Sequence, residues 1–264
     1  MTSPSLNLIK EVAALRQKKG RDESGLILVE GRHPIEEAIR AGLRIKYVFV
    51  MPTHPGHLPA EPYYAHMAYT VDEKTMRRFC TTDSPPPCLA IFERPTPPGH
   101  FSGSLALVLD SIQDPGNLGT LIRSSIAFGV DGVILTGDMV EPYNPKVIRA
   151  SAGLVFMLPV FGVEHTALSG LLEAEDWKIY ATTGHAGALN YREADYTGRC
   201  AIVLGNEGRG VSDNLFPNRT VQALTIPMAA AVESLNVAIS GSVILAEASA
   251  RRAGVEVASP ERSR

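Results

Sequence analysis

Short apolar runs alternate with segments whose apolar residues recur at helical spacing. Leu26–Val29, Tyr47–Val50, Leu89–Phe92, Leu105–Leu109, Gly132–Leu135, Lys178–Thr182, Cys200–Leu204 and Ala223–Ile226 read as strands, with a shorter one at Val160 and Phe161. Leu6–Leu15 places Leu6, Ile9, Val12 and Ala13 on one helical face, and Gly20 with its charged neighbours is expected to end that segment. Pro34 stands near the start of a helix whose apolar face is Ile35, Ala38 and Ile39. Further helices are predicted over Val71–Phe79, Asn117–Phe128, Pro145–Ala152, Leu168–Glu175 and Asn236–Ala253. Met51–Pro62, rich in Pro, His and Gly, reads as a loop. Continuous apolar strands separated by helices predict an α/β fold with a mostly parallel sheet covered on both faces.

The proline-rich stretch Arg94–His100 is the clearest linker. Ser84–Pro87 competes for the boundary, but a strand-like run follows it and would be orphaned. The division expected is a small α/β domain at 1–95, a linker at 96–103, a larger α/β domain at 104–253 and a frayed tail at 254–264. The chain has 264 residues, 45% of them hydrophobic and 20% charged, so a sizeable core is available and general disorder is excluded. A net charge of −3 argues against coating nucleic acid by charge alone. Any basic face must be local. Lys10, Arg16, Lys18, Lys19, Arg21 and Arg32 are candidates, joined by Arg149, Arg209 and Arg251.

Cys80, Cys88 and Cys200 lack a Cys-x-x-Cys spacing and read as reduced thiols. The N-terminus lacks a secretion-signal pattern, and no apolar run is long enough to span a bilayer, so a cytoplasmic protein with no membrane partner is expected. His54 and His57 have no third ligand at zinc-like spacing, so no metal is expected.

Three polar clusters follow predicted strands, where open α/β sheets bind ligands. Asp114-Pro-Gly-Asn117 is a turn running into a helix. Asn117 suits its N-cap, and Arg123 follows six residues on. Helix arginines commonly form surface ion pairs, but a guanidinium also grips phosphate bidentately. Gly205-Asn-Glu-Gly-Arg-Gly210 follows an apolar strand, yet it is neither a dinucleotide fingerprint nor a Walker loop. Its glycines let main-chain groups approach a ligand, and Glu207 reads either as an exposed turn residue or as a group that orients a hydroxyl. Ile226-Pro-Met228 follows a strand, and Ser234-Leu-Asn236 precedes the last helix. Ser234 and Asn236 serve as caps or as ligand contacts.

In this order and spacing, Asn117-x-Gly-x-x-x-Arg123, Leu-Gly-Asn-Glu-Gly at 204–208, and Ile-Pro-Met with Ser-Leu-Asn resemble the three motifs of the SpoU-type (TrmH-like) RNA ribose methyltransferases of the SPOUT superfamily. The resemblance spans roughly residues 105–252. A looser one relates the N-terminal segment to the small RNA-binding domain that precedes the catalytic domain in many members. The resemblance implies a sheet whose C-terminal part forms a deep trefoil knot, which base rates oppose. It implies S-adenosylmethionine as cofactor, with Thr182, Leu204, Gly205, Ile226, Met228 and Leu235 as cofactor contacts, largely through main chain. Asn117, Arg123, Glu207, Ser234 and Asn236 match catalytic or site-shaping positions. A homodimer is implied, acting on RNA, with ribosomal RNA expected and tRNA as the alternative.

An arginine base has been suggested for this family, but a guanidinium gives up its proton only with difficulty. The expectation is therefore that Arg123 grips a neighbouring phosphate and eases negative charge on the 2′-oxygen, while Asn117, Glu207 and Asn236 fix the ribose. Two other readings compete. A non-catalytic RNA-binding or ribosome-associated factor would not need the intact polar set. An ordinary nucleotide-binding enzyme would need the phosphate loop that the sequence lacks.

Overall fold

Two compact units emerge, each with its own sheet. The computed structural model describes residues 2–52, 66–96, 99–172, 176–183, 187–213, 215–217, 219–229, 231–232 and 234–254. Most of the predicted 51–62 loop, with His54 and His57, lies outside them. So do residues 97 and 98 of the linker, 173–175 of a predicted helix, and the tail from 255.

One unit comprises residues 1–97, 114–123 and 140–158, so it is not a contiguous N-terminal stretch. Its strands β1 (Leu26–Glu30), β2 (Ile45–Val50), β3 (Ala68–Thr70) and β4 (Cys88–Glu93) form a sheet in the order β1-β4-β2-β3. β4 runs antiparallel to β1 and β2, with Leu28 opposite Ile91, and β2 and β3 are parallel. Leu89 to Phe92 are wholly buried, as a central strand covered on both faces requires. Helices α1 (Leu6–Ala14) and α4 (Glu73–Phe79) bring Leu8, Val12, Met76 and Phe79 into one core with Leu28, Phe49, Leu89 and Ile91. α3 (Arg32–Arg40) packs on β1 and β4 and buries Ile35 and Ala38.

Gly20 does not end the first helical region as expected. It lies inside a second helix, α2 (Lys18–Ser24), where a Cβ would stand 2.3 Å from the Ala14 carbonyl oxygen. The glycine lets α2 cross the end of α1 at backbone contact. α2 also buries Arg21, whose guanidinium donates to Glu141 Oε2 at 3.0 Å and to the Leu15 carbonyl at 2.7 Å. Arg21 therefore leaves the expected basic face. The short strand β3 was not anticipated.

This unit also takes residues 115–123 of α5 (Pro115–Ala127), together with α6 (Pro145–Ala150). The two helices touch at Gly119, where a Cβ would lie 2.4 Å from Ala150 Cβ and 2.9 Å from the Ser151 nitrogen.

The other unit, residues 98–113, 124–139 and 159–264, holds β5 (Leu105–Asp110), β6 (Gly132–Thr136), β7 (Val160–Gly162), β8 (Lys178–Thr182), β9 (Leu189–Asn190), β10 (Cys200–Leu204) and β11 (Val221–Thr225). Their order is β7-β6-β5-β10-β8-β11-β9, and every pairing is parallel. All of β5 and β10 is buried. α7 (His165–Leu171) begins before the predicted Leu168 and contributes Leu168 to a core with Val108, Ile134, Phe161, Trp177 and Val203. α8 (Val237–Arg252) closes the described chain and buries Ile244, Leu245 and Ala248. Among the described residues no helix is long and apolar enough to cross a membrane.

Gly119→Ala gains about 1 kcal/mol of helix propensity but forces an overpacked contact costing about 1–3 kcal/mol. Because two of the three opposing atoms are backbone, the expected net effect is a loss of about 1–2 kcal/mol. Urea denaturation reads it, and an unchanged midpoint would show that α5 and α6 can separate freely.

Candidate active site

The chain leaves β10 at Leu204 and turns back on itself at once. Asn206 and Gly210 exchange main-chain hydrogen bonds of 3.0 and 2.8 Å. The Asn206 side-chain oxygen accepts from the amides of Gly208 (3.0 Å) and Arg209 (3.2 Å), which fixes the turn from inside. Gly210 adopts a φ of 74°, open to glycine at little cost. A Cβ on Gly205 would fall 2.1 Å from the Gly210 carbonyl, so this approach admits no side chain.

Neighbouring strands end at the same edge. Thr182 pairs with Leu224 across β8 and β11, the Thr183 amide donates to the Leu224 carbonyl at 2.9 Å, and Thr182 Oγ1 donates to the Val203 carbonyl at 3.2 Å. The segments that follow β8, β10 and β11 therefore surround one cleft of about 1030 Å³. Main chain and small polar groups supply one wall, and Ile226, Met228, Leu235 and Ile244 supply apolar surface. A mixed cleft of this size suits a ligand with both polar and apolar parts. The Gly205 contact shows how tightly the main chain is drawn in beneath it.

Asp110 ends β5 as a wholly buried carboxylate. It accepts from the Ser212 amide (2.7 Å) and Ser111 Oγ (2.9 Å), with His165 Nε2 at 3.3 Å. Burial pushes its pKa up, but the Ser212 and Ser111 hydrogen bonds and the nearby His165 outweigh that and hold it below the usual carboxylate range. The cysteines behave oppositely. Cys80, Cys88 and Cys200 are free and buried, and burial raises their thiols to about 12, 11 and 12. They stay protonated and are poor nucleophiles. Among the described residues no three His, Cys, Asp or Glu side chains are grouped to hold a metal ion.

Residues 104–246 match the SpoU rRNA Methylase family, and residues 7–90 match the MRM3-like substrate binding domain. The chain belongs to the SpoU rRNA methylase family. It is 35% identical to an uncharacterized tRNA/rRNA methyltransferase of Synechocystis, over 94% of this chain and 92% of that one. It is 30% identical to the Bacillus subtilis 23S rRNA (guanosine(2553)-2′-O)-methyltransferase RlmP, over 90% and 94%. Among solved structures, the AdoMet-bound rRNA methyltransferase from Sinorhizobium meliloti superposes with a TM-score of 0.82 at 31% identity, covering 95% of this chain and 97% of that one.

In this SpoU methylase the cleft gathers Thr182, Leu204, Gly205, Glu207, Ile226, Met228, Ser234 and Leu235. Asn236 stands beside them as the N-cap of α8, its Oδ1 accepting from the amides of Ala238 (2.9 Å) and Ile239 (3.2 Å). Asn117 and Arg123 belong to the other unit. Asn117 is not the N-cap of α5. That helix starts at Pro115, and Asp114 Oδ1 accepts from the Asn117 amide at 2.8 Å, so the cap lies three residues earlier than expected. Arg123 is exposed and enters no ion pair among the described residues. Sequence reasoning assigned no role to Asp110, or to Asn206 within the second motif.

The Asp110 shift has a signed consequence. A carboxyl held low in the folded state contributes stability that is complete above its unfolded value of about 3.9 and is lost as pH falls through its folded value. The stability gap between the parent protein and Asp110→Asn should therefore be constant at neutral pH and narrow below about pH 4. Thermal melts from pH 6 to pH 3 test this, and a gap that widens in acid would contradict it.

Proposed function

We propose that this SpoU methylase is an S-adenosylmethionine-dependent RNA methyltransferase that modifies a ribose 2′-hydroxyl of ribosomal RNA. The observation that carries the reading is the single cleft in which the loops after β8, β10 and β11 bring the second and third motifs together. The close main-chain approach at Gly205 and the apolar surface of Ile226, Met228 and Leu235 fit a cofactor that is part nucleoside and part sulfonium-bearing amino-acid chain. Thr182, Leu204, Gly205, Ile226, Met228 and Leu235 would hold it. Bound there, S-adenosylmethionine supplies an electrophilic methyl group to an oxygen nucleophile.

The chain's own part is positioning and charge. The exposed Arg123 guanidinium has no carboxylate partner among the described residues. It grips the phosphate beside the target ribose and stabilises negative charge growing on the 2′-oxygen. Glu207 and Asn236 fix the ribose, Ser234 shapes the cleft beside them, and Asn117 is assigned to the same reaction by its place in the first motif.

The wider reading follows the family. Residues 1–95 bind RNA and 104–253 carry the reaction, joined at 96–103; the two separate family matches support this division. The C-terminal part is knotted. In support, β11 pairs with β8 and not with β10, which immediately precedes it in the chain. The protein works as a homodimer, a reading supported by the large apolar side chains left exposed outside the cleft at Val232 and Ile239. A cytoplasmic location goes with a ribosomal substrate.

Incubation with labelled cofactor and unmodified RNA should place the label on a ribose of ribosomal RNA. Label on tRNA alone, or none, overturns the substrate assignment. Arg123→Ala should keep cofactor affinity nearly unchanged while turnover falls by about 100-fold or more; near-normal turnover would remove Arg123 from this role. RNA affinity should also depend on salt. A site touching about three phosphates loses roughly 20- to 40-fold between 50 and 200 mM salt. A flat response, measured by filter binding, would argue against phosphate contacts.

A further inference from the structure

The loop that carries Gly205 is tied to the end of β5 at both of its ends. At its start, Asn206 Nδ2 donates to the Ser111 carbonyl at 3.0 Å. At its far end, the Ser212 amide donates to Asp110 Oδ2 at 2.7 Å. Asp110 and Ser111 are consecutive, whereas the loop lies about a hundred residues further along the chain. One dipeptide therefore sets the spacing between the two ends of the loop.

Both anchors are costly to build. Asp110 is wholly buried, and its second oxygen is occupied by Ser111 Oγ at 2.9 Å and His165 Nε2 at 3.3 Å. A buried carboxylate is tolerated only with such a full set of donors. Ser111 has a φ of 60°, a left-handed conformation that non-glycine residues hold only where their surroundings over-determine it. Its Oγ would lie 2.3 Å from any Cβ at Gly137, so the neighbouring loop has also given way to it. The side-chain contacts add nothing to strand pairing, because the β5–β10 ladder already closes at Leu109 and Leu204, and Asp110 and Ser111 join β6 at Thr136 through main chain alone.

We infer that Asp110 is a positioning residue for the cofactor: with Asn206, it holds residues 205–212 in the shape that presents the Gly205 main chain to the cleft. The inference rests on the cofactor reading of that cleft given above. Asp110 touches no ligand in this scheme and acts through the loop alone. Its loss should therefore appear in cofactor affinity and spare RNA affinity.

Two variants test it. Asp110→Asn keeps size but removes the charge and leaves one acceptor oxygen where the Ser212 amide, the Ser111 hydroxyl and His165 share two. Asn206→Asp keeps the Oδ1 acceptor for Gly208 and Arg209 while losing the donor to Ser111. Titration calorimetry with S-adenosylmethionine and steady-state kinetics with ribosomal RNA are measured for both. The cofactor Kd and KM should rise about tenfold or more, the RNA KM should hold, and kcat at saturating cofactor should fall by less than about threefold. A folded variant whose cofactor Kd stays within about twofold of the parent overturns the inference, as does a fall in kcat at unchanged cofactor KM. If Asp110→Asn does not fold, Asn206→Asp decides by the same criteria. A parent protein that binds no cofactor defeats the reading of the cleft, and the tether with it. A parent that binds while both variants bind equally well defeats only the tether.

Discussion

Main chain packed against main chain at the end of β10 is the contact on which the cleft depends. Gly205 lies so close to the Gly210 carbonyl that no side chain fits between them. Only that closeness lets a loop of this length fold back over the strand end and leave its polar backbone facing outward. Parallel pairing does the rest. Because β8, β10 and β11 run the same way in register, their following segments leave from one edge and meet there. The chemistry of the site is thus largely backbone chemistry, arranged by strand order and made possible by glycine.

Much of this scaffold was legible in the residues. Strands buried on both faces write themselves as unbroken apolar runs, which is why β4, β5, β6 and β10 were found at nearly their observed bounds. β3 and β9 escaped because they are short and lie at sheet edges, where one side needs no apolar cover. α2 escaped because Gly20 has two opposite uses. In sequence it reads as a breaker; in the fold it serves helix contact, as the nearness of Ala14 shows. The cap of α5 was displaced for a similar reason. Asn117 and Asp114 both cap well, and Pro115, suited to the first helical position, favours the earlier one.

The site divides along the same line. Glycine-rich strand ends announce a cleft, and most of the residues picked out by motif do line it. Asp110 gave no such signal. It closes an apolar strand, and its role depends on an amide at Ser212, which local pattern cannot reach. The basic face illustrates the converse. Arg21 is buried against Glu141, Arg149 reaches Glu30 at 3.3 Å, and Arg251 pairs with Glu247 at 2.8 Å. Sequence pattern did not distinguish these paired cations from Lys10, Arg16 and Lys18, which enter no ion pair among the described residues.

That division bears on how an acidic chain handles a polyanion. With a net charge of −3, long-range attraction is weak, and exposed surface pairs add little to stability. What matters is which cations are left unneutralised. Arg94, for example, is shared between Asp22 at 2.9 Å and Glu141 at 2.7 Å, so its charge is already answered within its own unit. Arg123 has no such carboxylate among the described residues, and the exposed Lys10 of α1 and Lys18 of α2 stand on long, solvated stems. Recognition built on a few unanswered charges favours a defined phosphate geometry over polyanions in general, because each contact must find its own phosphate and no diffuse field holds a misplaced strand.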